Sequence, residues 1–211
     1  MPSSITSDII KPPAPPRGGG FGGGGGPDGR GASRRASMPG VMVLLAATTM
    51  AFAAFTSAFV VRRGISDDWV ALRLPRIVWV NTAILLASSL MLELARRALK
   101  TGRRSVFNRY WTAGTVLGAL FLVGQAIAWL QLRAAGIFIA TNPSSSFFYL
   151  LTAAHGLHIV GGLSALAYVD VQALRLRLGP GKRTAVDVGA LFWHFVDGLW
   201  LFLMVLFLVW G

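Results

Sequence analysis

From about residue 40 onward the chain alternates long apolar runs with short segments rich in arginine. The first run, residues 41–61, holds 21 residues and no charge. At roughly 1.5 Å per residue, a helix of that length reaches about 31 Å, enough to cross the hydrocarbon layer. Four more runs follow, at 77–94, 110–132, 146–169 and 186–210. They are too long for core strands or ordinary core helices. The pattern predicts an all-α integral membrane protein, with five transmembrane helices forming a bundle over residues 39–211. Residues 1–38 read differently. Pro12, Pro13, Pro15 and Pro16 favour extended backbone, and ten glycines lie within residues 18–31. Such a segment buries too little apolar surface to offset its ordering entropy, so a disordered tail is expected. It is no phosphate loop, because the Gly-Lys-Ser/Thr step and a leading strand are missing. It is no secretory signal either, because its first apolar run is long enough to span.

Charge gives the bundle a direction. Of 211 residues, 20 are Lys or Arg and 8 are Asp or Glu, a net +12. The basic residues flank the apolar runs, which points to membrane topology and away from nucleic acid. Near the membrane, one side carries 13 of them: Arg30, Arg34, Arg35, Arg96, Arg97, Lys100, Arg103, Arg104, Arg109, Arg175, Arg177, Lys182 and Arg183. The other side carries 5: Arg62, Arg63, Arg73, Arg76 and Arg133. The positive-inside rule therefore places the N-terminus in the cytoplasm and the C-terminus outward. The chain has no cysteine, which excludes disulfides, thiolate metal sites, iron–sulfur clusters and thiol catalysis.

Small residues four apart predict close helix packing: Gly114/Gly118, Ala47/Ala51, Ala54/Ala58 and Gly161/Ala165. Trp69, Trp79, Trp111 and Trp210 lie near span ends, where interfacial tryptophans collect.

The candidate chemistry is sparse. All three histidines fall inside spans: His155 and His158 three apart in the fourth, His194 three before Asp197 in the fifth. Ionisable groups at membrane depth are costly and each needs a reason. Three readings are open: hydrogen bonds that fix helix register, a proton relay, or ligation of haem or metal by His155 or His158 with His194. The glycines around them, Gly156, Gly161 and Gly162, thin the fourth helix and favour helix contact. Glu93, with Arg96 and Arg97 three and four residues on, predicts an ion pair at a helix end. Trp193 and Trp200 share one face of the fifth helix and either line a lipid groove or pack inward. There is no nucleophile beside a base and no carboxylate pair at hydrolytic spacing, so no active site is expected.

Two segments carry a resemblance. His155, Gly156, Leu157, His158, Ile159, Val160, Gly161 and Gly162 resemble the HGLHV segment of haem–copper oxidase subunit III. Residues 193–203, WHFVDGLWLFL, resemble that family's signature in its last helix. The ending Val209, Trp210, Gly211 and the stretch from Asn81 to Ser89 fit as well, and Gln125 falls where the family has a glutamine. The resemblance covers about residues 40–211 and looks like the short five-helix bacterial form. It implies an accessory subunit without its own cofactor, with haem and copper in partner subunits. The implied partners are oxidase subunits I and II and membrane phospholipids in a bacterial inner membrane. The implied role is to hold lipid and to support the stability and proton uptake of subunit I in a terminal oxidase, cytochrome c oxidase being the expected type. His155, His158, His194, Asp197, Trp193, Trp200, Gln125 and Glu93 would then serve helix, lipid or subunit I contacts. The family's carboxylate in the first of these spans is missing, where Ala46, Ala47, Thr48 and Thr49 stand, and so is its acid beyond Gln125, where Ala128 and Trp129 stand. An accessory protein of a nitric oxide reductase and a haem-binding anchor are the alternatives. A small transporter fits less well, since no span is broken by an internal proline.

Overall fold

The computed structural model describes residues 29–65, 69, 75–175 and 183–210. It holds five helices: α1 (Gly29–Ile65), α2 (Ile77–Lys100), α3 (Arg104–Ala134), α4 (Pro143–Leu174) and α5 (Arg183–Trp210). No strand occurs among the described residues. All five helices are long and apolar enough to cross a membrane, which makes this a multi-pass membrane protein. Each helix outruns its apolar run; in α2 and α3 the added turns carry arginine or lysine, residues whose apolar stems suit a helix end at the membrane interface. The largest difference is in α1, which begins at Gly29 and runs through Pro39, inside the stretch expected to lack structure. The alanines, arginines and Met38 there are good helix formers. The rest of the expected tail, and with it Asp67, Asp68, Arg73, Arg177, Lys182 and Gly211, lies outside the described residues.

Helices α2, α3, α4 and α5 close a ring, each packed on the next and α5 back on α2. Helix α1 lies outside the ring, against α4 and α5. The ring is closest between α2 and α3. A Cβ at Gly114 would stand 2.8 Å from Leu92, and one at Gly124 would overlap the Asn81 amide. Glycine is required at both positions because the facing side chain already fills the space. Ser88 Oγ donates to Gly114 O at 2.8 Å across the same contact. Helix α1 works the opposite way. Phe52 and Phe59 enter the core, while Ala47, Ala51, Ala54 and Ala58 face outward. Gly161 also meets nothing on its open side. Of the four small-residue steps, only Gly114/Gly118 brings helices together within this chain.

Short connections orient the ring. Gly102 (φ 75°) follows α2, and its neighbour Arg103 N donates to Ala98 O at 3.0 Å. Gly136 (φ 77°) follows α3, and Ile137 N donates to Leu132 O at 2.9 Å. Both are Schellman ends, where a left-handed residue lets the chain turn back onto the last carbonyls. Helix α4 then starts at Asn142, whose side chain accepts from Ser145 N at 2.8 Å, with Pro143 in the first turn.

Candidate functional site

The polar side chains of the ring concentrate on the seam between α2 and α5. Three cross-helix bonds tie it. Arg96 Nη2 donates to Asp187 Oδ1 at 3.3 Å. Ser89 Oγ and His194 Nδ1 stand 2.6 Å apart. Trp200 Nε1 donates to Thr82 Oγ1 at 3.0 Å. The partners step by seven residues along α2 (Thr82, Ser89, Arg96) and by seven then six along α5 (Asp187, His194, Trp200). Seven residues are close to two helical turns, so one face of each helix repeats the contact. Glu93 joins the charged end of the seam, bonded to Arg96 Nη1 at 3.2 Å and to Arg97 Nε at 3.1 Å. Asp197 lies one turn beyond His194 and is 5% exposed. Neither of its oxygens completes a hydrogen bond, and the Ser89 hydroxyl is the polar group set against it.

The three histidines part company. Only His194 bonds to another helix. His155 is fully buried with both ring nitrogens unpaired. Its ring lies 5.1 Å from Trp200, tilted by 30°, with Phe121 edge-on at 6.1 Å. Phe121 and Trp200 meet at 5.0 Å, so α3, α4 and α5 are locked by one aromatic cluster. His158 Nδ1 donates to Ala154 O of its own helix at 2.8 Å, and its ring meets Phe52 of α1 at 5.6 Å. Of the three, His194 alone has a hydrogen-bond partner on another helix, while His155 meets its neighbours through ring packing and His158 bonds within α4. Gln125 is buried on α3 without a partner for either amide atom.

Of the two placements left open for Trp193 and Trp200, on a lipid groove or packed inward, the structure has the second: both are buried within the chain. Glycines opposite make the room. A Cβ at Gly118 would stand 2.5 Å from the Trp193 ring and one at Gly162 would stand 3.2 Å from it. Trp111 is also buried, donating Nε1 to Leu166 O at 3.0 Å. Trp79 and Trp210 are the span-end tryptophans that stay exposed, the second under the Arg63 guanidinium at 5.4 Å.

Reading the sequence missed several participants. Ser89, Thr82 and Asp187 complete the seam. Thr112 Oγ1 donates to Asp170 Oδ1 at 2.7 Å between α3 and α4, and Trp129 Nε1 donates to Thr152 Oγ1 at 3.2 Å. The seven-residue spacing of Thr82, Ser89 and Arg96 was a signal that could have found the seam. Among the described residues, no three His, Asp or Glu side chains are grouped to hold a metal ion.

Comparison with known proteins agrees with the architecture. Residues 39–211 match the family model described as cytochrome c oxidase subunit III. A probable cytochrome c oxidase subunit 3 of Nocardia farcinica is 32% identical over 167 residues, covering 77% of this chain and 82% of that one. Cytochrome c oxidase subunit 3 of Thermostichus vulcanus is 30% identical over 178 residues, covering 79% and 84%. The Synechocystis protein of the same name is 29% identical over 176 residues, covering 80% and 73%.

Proposed function

Because this chain belongs to the cytochrome c oxidase subunit III family and is an accessory subunit of a haem–copper oxidase, we propose a specific place for it. It sits beside subunits I and II of a bacterial cytochrome c oxidase, in the inner membrane. Its N-terminus is cytoplasmic, its C-terminus faces outward, and it carries no haem or copper of its own. It holds phospholipid and supports the stability and proton uptake of subunit I.

One observation carries the non-ligating part of this reading: the surroundings of the histidines. His155 is enclosed by Trp200 and Phe121, His158 is bonded to its own helix, and His194 is bonded to Ser89. Haem ligation across a bundle needs two imidazoles facing a common space, and these three face different neighbours. The lipid part is supported by two open grooves. One, about 700 Å³, sets Arg62 against Ile65, Asn142 and Phe147. The other, about 730 Å³, sets Arg109 and Tyr110 against Met91, Val116 and Leu174. Each offers a cation near a helix end and an apolar wall, the two needs of a phospholipid. The outward alanines of α1 give a partner helix a close approach.

The test is a mild-detergent pull-down of the tagged chain from native membranes, with mass spectrometry and a haem assay. Recovery with a twelve-span haem–copper subunit and a copper-bearing subunit is expected. Deleting the chain should leave the haem spectrum of subunit I intact and make turnover less durable. Recovery of the chain alone with its own haem would overturn the reading, and a nitric oxide reductase partner would redirect it.

A further inference from the structure

We propose that the α2–α5 seam is a proton-binding site: Asp197 takes the proton at the closed end, Ser89 and His194 pass it inward, and Glu93 with Asp187 forms the mouth. The geometry is a graded one. Glu93 and Asp187 are part-exposed at the arginine-rich end of the bundle, on either side of Arg96. Asp197 lies ten residues from Asp187 on the same helix, about 15 Å deeper at roughly 1.5 Å per residue. Half-buried Ser89 and His194 lie between, in contact at 2.6 Å.

Asp197 is the one buried carboxyl among the described residues. Among the described residues, the cations bonded at the seam are Arg96 and Arg97, and both are engaged at the mouth, Arg96 by Glu93 and Asp187 and Arg97 by Glu93. Trp193 and Trp200 flank Asp197 on its own helix, with His194 one turn before it, and His155 of α4 packs on Trp200. From α1, Phe59 meets α5 near its far end, at Phe207. A carboxylate at membrane depth with no cation and no completed hydrogen bond is costly, and taking a proton removes that cost.

The step balances. His194 Nε2 takes a proton from the mouth, and the imidazolium gives its Nδ1 proton to Ser89 Oγ. Ser89 gives its own hydroxyl proton to Asp197. The imidazole ends neutral as its other tautomer and the hydroxyl ends re-formed with its hydrogen toward His194, so a proton exchange at the ring and a turn of the hydroxyl reset the pair. The carboxylate has become a carboxylic acid, and one proton from water has been consumed. This inference stands whichever subunits accompany the chain, so it fails independently of the oxidase reading.

Infrared spectroscopy tests it on the full chain purified with whatever subunits accompany it. A protonated-carboxyl C=O band is expected, absent in Asp197→Asn and moved in Asp197→Glu. Its shift in D2O should be slowed about a hundredfold in His194→Phe and in Ser89→Ala, the lower range for a positioned proton-transfer group. The Asp197→Glu band keeps the assignment testable if Asp197→Asn does not fold. Identical carboxyl spectra in wild type and the Asp197 variants would overturn the site. An unchanged exchange rate in both relay variants would overturn the route.

Discussion

Helices α3 and α1 are both long, apolar and rich in small residues, yet they meet their neighbours in opposite ways. Helix α3 turns its glycines inward: Gly114, Gly118 and Gly124 face Leu92, Trp193 and Asn81 at distances no side chain could share. Helix α1 turns its alanines outward and anchors itself by Phe52 and Phe59. In lipid, apolar surface gives helices no reason to associate, so fit and hydrogen bonds decide. Small residues facing inward let backbones meet and let a large ring from a third helix fill the gap. Small residues facing outward are useful only to something outside the chain. Composition alone does not separate the two cases.

The largest expected effect strikes the inward side. Trp200→Ala removes the ring that joins Phe121, His155 and Thr82, and should cost about 3–5 kcal/mol, the range for large aromatic cavities. Unfolding in mixed micelles with rising SDS measures it. A cost below 1 kcal/mol would mean that the aromatic cluster does not hold the ring. Next comes Gly124→Ala, whose methyl overlaps Asn81, with about 1–3 kcal/mol of overpacking strain by the same assay. Ser88→Ala breaks one bond to Gly114 O and should cost about 0.6 kcal/mol, typical of a bond between membrane helices. The smallest effect on the chain itself sharpens the contrast most. Ala51→Leu with Ala54→Leu should change its stability by no more than about 0.5 kcal/mol, as surface changes do, while reducing co-purification of partner subunits. Equal losses from the α1 and α3 substitutions would erase the distinction.

The number of helices and their rough limits were legible because twenty or so apolar residues in a row have few other fates. The Glu93 ion pair was legible too, since three- and four-residue spacing on a helix is a local matter. What faces what was not. Trp193 turns inward where Gly118 and Gly162, 75 and 31 residues earlier, leave space, and no periodicity within α5 encodes that. His155 and His158 share a helix face by spacing, but one meets α3 and α5 while the other meets α1. A helix wheel gives a direction and no neighbour. The Ser89–His194 contact spans 105 residues and belongs to the same class of fact.

The seat of α1 has a consequence for how the protein is made. Helix α1 leaves the ribosome well before α4 and α5, yet the surfaces it docks on belong to those two helices. Until then Phe52, Phe59 and His158 have no lasting partners across that interface. During synthesis α1 must wait in the bilayer as a lone helix while α2 and α3 form their hairpin. Emergence of α4 and α5 is therefore the event that captures it, and a chain cut short after α3 should leave α1 adrift.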